Sequence, residues 1–148
     1  MKKKLFLLFA AVMLMASCEG PAGQDGQGIY WFVKKYTINS NQWELIGGVD
    51  ELNSYYRAEI VIPELDNDIY KDGNVFCYMY QKVEGVEVQT LLPYSIPQAL
   101  SSGGYDEFWT ETYAYDFTVG SIMLYVNYSD FYTNNRPPAT SFRVVLNY

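Results

Sequence analysis

The sequence predicts an all-β chain, a single antiparallel β-sandwich of about eight strands, immunoglobulin-like or jelly-roll in outline. Three observations carry that expectation. Short runs rich in Val, Ile, Tyr, Phe and Trp recur through residues 29–148, several of them alternating apolar with polar residues. Turn chemistry separates the runs: Asn39-Ser40-Asn41, Gly47-Gly48, Asp72-Gly73, Glu84-Gly85 and Val119-Gly120. No stretch between them carries a convincing amphipathic helical period.

In chain order, Ile29–Ile38 is a β-rich run broken at Asn39. Trp43–Ile46 is a short strand that stops at Gly47-Gly48. Tyr55–Ile62 sets Tyr56, Ala58, Ile60 and Ile62 against Tyr55, Arg57, Glu59 and Val61, which gives one buried and one wetter face. Pro63 ends it, because proline cannot donate to a ladder. Glu64–Tyr70 has room for one helical turn. Val75–Gln81 and Val86–Leu92 flank Glu84-Gly85 as a hairpin. Pro93–Gly104, with Pro97 and Ser101-Ser102-Gly103-Gly104 inside it, is expected to be the longest irregular connection.

Phe108–Phe117 and Ser121–Tyr128 form a second hairpin around Val119-Gly120. Its first strand places Trp109, Glu111, Tyr113, Tyr115 and Phe117 in one row and Thr110, Thr112, Ala114 and Asp116 in the other. Its second strand gathers Ile122, Leu124, Val126 and Tyr128 on one face. Asn134–Pro138 is a loop and Thr140–Asn147 a closing strand. The pattern leaves the strand order open.

Ahead of this domain, Lys2, Lys3 and Lys4 precede an unbroken apolar run, Leu5–Met15, and then Ala16-Ser17-Cys18. A helix of that run is about 16 Å long at ~1.5 Å per residue, roughly half the ~30 Å hydrocarbon core. Residues 1–17 therefore have the order of a signal peptide and are too short to span a bilayer. After Cys18, glycines at 20, 23 and 26 make three Gly-X-Y triplets, so residues 18–28 form a collagen-like spacer. As a flexible coil its ten residues from Glu19 reach about 18 Å.

Leu14-Met15-Ala16-Ser17-Cys18 resembles the lipobox of bacterial lipoproteins, with Met15 standing where leucine is usual. The resemblance implies cleavage before Cys18 and acylation of Cys18, so that the mature chain is held on a membrane through lipid. At ~0.8 kcal/mol per buried CH₂, two or more long acyl chains make such attachment effectively permanent. Cys18, the stub, Asn41-Gln42-Trp43, Pro63-Glu64-Leu65, Asp72-Gly73 and Phe142-Arg143-Val144-Val145 together resemble a group of small Bacteroidota-type cell-envelope lipoproteins. That resemblance implies an outer-membrane location and a β-sandwich fold. It brings no catalytic residues with it.

Composition narrows the chemistry. Ten Lys and Arg stand against 17 Asp and Glu, and loss of Lys2, Lys3 and Lys4 with the signal leaves a net charge of about −10. Such acidity favours solubility and offers phosphates no basic patch, so nucleic acid is not an expected partner. The chain has no histidine. That removes the commonest general base, the Ser-His and Cys-His nucleophile pairs and most zinc sites. Only two cysteines are present. With Cys18 acylated, Cys77 is alone and reads as an inert strand residue without a cationic neighbour.

Carboxylates are the remaining catalytic currency. Glu111 and Asp116 lie at odd spacing on one strand and face opposite sides, while Asp106-Glu107 and Asp50-Glu51 read as solvated loop charges. Asp66-Asn67-Asp68 with Asp72 reads as a solvated acidic turn in preference to a calcium loop. No catalytic residue, metal site or cofactor is expected. The chain is expected to be a non-catalytic structural or interaction module. The alternative is a carbohydrate-binding module that presents an exposed aromatic strand face. Trp31, Trp109, Tyr113 and Tyr115 are its candidate ligand-facing residues, and a glycan or an envelope protein is the expected partner.

Overall fold

The computed structural model describes residues 30–102 and 104–148. The expected signal peptide, Cys18 and the Gly-X-Y stub lie outside the described residues. The strands are β1 (Trp31–Ile38), β2 (Glu44–Ile46), β3 (Tyr55–Val61), β4 (Asn74–Val83), β5 (Val86–Leu91), β6 (Tyr94–Ser102), β7 (Tyr105–Thr118), β8 (Ser121–Tyr128) and β9 (Thr140–Asn147). One sheet runs β1-β9-β4-β5 and the other β2-β3-β8-β7-β6, every pairing antiparallel. An all-β sandwich is therefore the architecture, with the strand order now defined.

Alternation builds the core. Tyr56, Ala58 and Ile60 of β3, with Ile122, Leu124, Val126 and Tyr128 of β8, are buried against Val75, Cys77 and Met79 of β4 and Phe142, Val144 and Leu146 of β9. Trp43 closes one side of this core. Its ring meets Phe142 edge-on at 6.3 Å, and its indole N–H donates to the Pro138 carbonyl at 3.3 Å. Cys77 is fully buried, and desolvation pushes its thiol up to about 12, so it packs as an apolar residue.

Both expected hairpins form. Thr118 pairs with Ser121 across Val119-Gly120, and Val83 pairs with Val86 across Glu84-Gly85. Glu84 and Gly85 both take positive φ, +51° and +83°, which two-residue hairpin loops require when their twist matches that of the strands. The helical turn expected over Glu64–Tyr70 lies slightly later, as α1 (Asn67–Asp72). Asp66 caps it, its carboxylate accepting from the Asp68 and Ile69 amides at 3.0 and 2.9 Å.

The structure corrects one element. The connection expected to be irregular, Pro93–Gly104, contains β6, which pairs with β7 from Tyr94↔Tyr113 to Ser102↔Tyr105. The ninth strand of the fold is this one. Pro97 is tolerated because β6 is an edge strand, which needs ladder hydrogen bonds on one side only. The same pairing draws Asp106 and Glu107 out of the expected loop and into β7.

All four sheet edges are blunted against further pairing. Edge strand β1 carries Lys34 and Lys35 at its centre, β2 is three residues long, β5 carries Glu87 and β6 carries Pro97. Lys35 is also drawn over the Tyr80 ring at 4.1 Å. Recognition by strand addition is thus opposed on each of these four edge strands, and attention moves to the ends of the sandwich.

Candidate functional site

The site begins with a mismatch in strand length. β8 pairs with β7 only as far as Glu111↔Tyr128, so residues 105–110 of β7 have β6 as their single partner. The β6–β7 hairpin therefore runs on past its own sheet. Its inward row, Tyr113, Glu111, Trp109, emerges from the core as it goes: Tyr113 is 4% exposed, while Glu111 and Trp109 are half-buried. Leaving β8, the chain turns over this projecting floor. The Ser129 amide donates to the Thr110 carbonyl at 3.0 Å, and the Ser129 hydroxyl accepts from the Thr110 amide at 2.9 Å.

Between floor and loop lies a cleft of about 210 Å³. Leu100, Glu107, Trp109 and Glu111 line it from the hairpin and Tyr128 from the end of β8, while Asp130, Tyr132, Asn135, Arg136 and Pro138 line it from the loop. An indole, two phenols, three carboxylates and one guanidinium converge on a space smaller than the ~300–1,000 Å³ of drug-sized pockets. It suits a ligand of about one sugar ring.

The loop wall is held by a buried polar pin. Thr133 is buried, its hydroxyl accepts from the Asp50 amide at 2.9 Å, and its amide donates to the Asp50 carboxylate at 2.7 Å. The Ser54 hydroxyl lies 3.2 Å from the Thr133 hydroxyl, and the Tyr56 hydroxyl donates to the Thr133 carbonyl at 2.6 Å. Asp50, Asn53 and Phe131, at φ +55°, +65° and +58°, hold left-handed conformations within the two loops so joined. Non-glycine residues reach that region only when surrounding contacts compensate. The network supplies those contacts and fixes Asp130 and Tyr132 beside the hairpin.

Electrostatically the cleft is acidic and unbalanced. Among the described residues the only ion pair is Arg57 with Glu44 at 2.9 Å, on the exposed side chains of β3 and β2. Glu107, Glu111 and Asp130 therefore form no ion pair among the described residues, although Arg136 shares the lining. Burial raises the Glu111 carboxyl above its ordinary value, and hydrogen bonding from the Trp109 and Gln98 side chains offsets part of that rise. Burial, reinforced by the Glu111 charge, pushes the Tyr113 phenol up to about 12 and raises Tyr128 in the same way. Both phenols stay protonated at neutral pH.

The four aromatics expected to face a ligand do not form one face. Trp31 is 58% exposed, but it lies on β1 in the other sheet from Trp109. Tyr113 is instead a core residue, 4% exposed, flanked in the ladder by Tyr94 and Val126 with its side chain beside Thr140, which corrects its place in an exposed face. Tyr115 is half-buried with its hydroxyl donating to the Val75 carbonyl at 2.8 Å, and it borders a shallow surface groove with Tyr70, Pro93 and Phe117. Trp109 alone enters the cleft. Glu111 was the available signal for the rest, as a carboxylate set between Trp109 and Tyr113 in that row.

Comparison with protein-family models, curated proteins and solved structures finds no significant match for this chain.

Proposed function

We propose that this protein is a lipid-anchored, non-catalytic binding module of the cell envelope, and that the Trp109 cleft holds a sugar unit of an envelope or extracellular glycan. The observation that carries the reading is the cleft itself: a half-buried indole ringed by side chains that can bond hydroxyl groups. An indole offers the apolar face of a sugar a flat surface to stack on, and the surrounding polar groups fix its orientation. The anchor reading rests on Met1–Cys18 and the spacer reading on the Gly-X-Y stub. The absence of histidine from the whole chain supports a binding role over a hydrolytic one.

The test has two arms. Cys18→Ala is expected to release the protein from the membrane fraction, and retention at the wild-type level overturns the anchor. A panel of neutral and charged oligosaccharides, titrated against the purified protein with tryptophan emission as readout, is expected to contain binders whose signal disappears in Trp109→Phe. An unchanged emission across the panel overturns the sugar reading.

A further inference from the structure

Resting on the cleft as the ligand site, we infer that its selectivity is for a ligand bearing an organic ammonium group, a sugar ring with a free amine in preference to a neutral one. The inference stands on how the three carboxylates are placed. Glu107 and Glu111 share the inward row of β7 with Trp109 between them, and Asp130 faces them from the loop. Arg136 is the single basic residue in the lining. The lining therefore carries a net charge of about −2 with no ion pair among the described residues to relieve it.

Glu111 makes the arrangement specific. A strand's inward row ordinarily carries apolar side chains, and a carboxylate there gives up hydration. Its neighbours Trp109 and Gln98 are neutral donors, and neither supplies a positive charge. An ammonium seated against Glu111 supplies that charge through charge-assisted hydrogen bonds, the stronger class. The Trp109 face adds cation–π attraction for the same group, and Tyr128 and Tyr132 complete an aromatic surround. A neutral or N-acetylated ring at this position leaves the half-buried Glu111 without a positive partner. An anionic ring is repelled.

The experiment uses the purified full-length protein in detergent micelles. Three probes are titrated at pH 6 to 7 with tryptophan emission and calorimetry as readouts: a trimer of glucosamine, the fully N-acetylated trimer, and ethanolamine. The glucosamine trimer is expected to bind at least ten-fold more tightly than the acetylated one. That ratio should fall several-fold in Glu111→Gln, in Glu107→Gln and at high salt, while Glu59→Gln on the exposed face of β3 leaves it unchanged. Equal or tighter binding of the acetylated trimer overturns the ammonium preference and leaves the sugar reading intact. Ethanolamine binding that needs Glu111, with neither trimer bound, supports the ammonium preference and overturns the sugar reading. Silence from all three probes overturns both. Circular dichroism of each variant separates lost binding from lost fold, and Glu107→Gln gives an independent arm if Glu111→Gln is unstable.

Discussion

The two ends of β7 start from the same alternating pattern and finish in opposite conditions. At the Phe117 end the aromatic row satisfies itself. Tyr115 and Phe117 stack at 6.5 Å, Phe117 meets Tyr70 of α1 edge-on at 5.9 Å, and the Tyr115 hydroxyl is committed to the Val75 carbonyl at 2.8 Å. At the Trp109 end, some eight residues or about 26 Å away along the strand, the row meets carboxylates and a concave space. What differs is the element that closes over each end. A helical turn and a core strand cover the first. A loop held by hydrogen bonds covers the second, leaving polar groups with capacity to spare. Aromatic content alone therefore does not mark a binding surface, whereas an aromatic beside unpaired charge does.

Tyr113, buried midway between the two ends, is where that division is made, so its removal should have the largest effect. Tyr113→Ala is expected to cost about 3–5 kcal/mol, the range for truncating a large core aromatic, measured by denaturant unfolding. A loss below about 1 kcal/mol would mean that the cleft reaches further into the sandwich than the burial of Tyr113 indicates.

Next in size is the pin that distinguishes the loop-covered end. Thr133→Val keeps the volume but removes the hydroxyl that bonds the Asp50 amide and neighbours Ser54. With those buried partners left short, about 1–3 kcal/mol should be lost. Trp109 emission should shift to the red as the loop loosens, and ligand affinity should fall with it. A variant that loses stability while keeping Trp109 emission and affinity would show that the loop is positioned by other contacts.

The contrast also explains what could be read in advance. The inner rows of β3 and β8 and both hairpins are legible because strict alternation and tight turns are local properties. β6 is not legible, because Pro97 and a Ser-Gly cluster read as breakers and only the pairing with β7 shows that an edge position tolerates them. The cleft is legible only in half. Trp109 and Glu111 stand out in their row, but the far wall depends on Thr133 meeting Asp50, a contact across 83 residues that no local pattern announces. Tyr113 illustrates the converse. Its row is readable, yet only tertiary cover decides that it is core while Trp109, four residues before it, is a wall.

At the self-satisfied end a smaller change should report on stability alone. Tyr115→Phe removes the bond to the Val75 carbonyl and is expected to cost about 0.5–1.5 kcal/mol, with no change in ligand affinity. A drop in affinity would tie the groove by Phe117 to recognition and erase the distinction between the ends.

The smallest effect is the most discriminating, and it concerns the carboxylate of the open end. Burial raises the Glu111 carboxyl above 4.5, its ordinary value, in the folded chain. A group whose folded value is raised contributes stability that is fully present below its unfolded value and is lost as pH rises through the folded one. Glu111 should therefore weaken the fold slightly at neutral pH and not at pH 4. Glu111→Gln, which resembles the protonated acid at every pH, should match the wild type near pH 4 in thermal melting and exceed it increasingly toward pH 7. Glu59→Gln, on the exposed face of β3, reports the general benefit of removing one charge from an acidic chain. The gain in Glu111→Gln should exceed that control while ammonium binding is lost. If the wild type instead gains on Glu111→Gln as pH rises, the carboxylate is already stabilised in its charged form, and the Trp109 end is as self-satisfied as the Phe117 end.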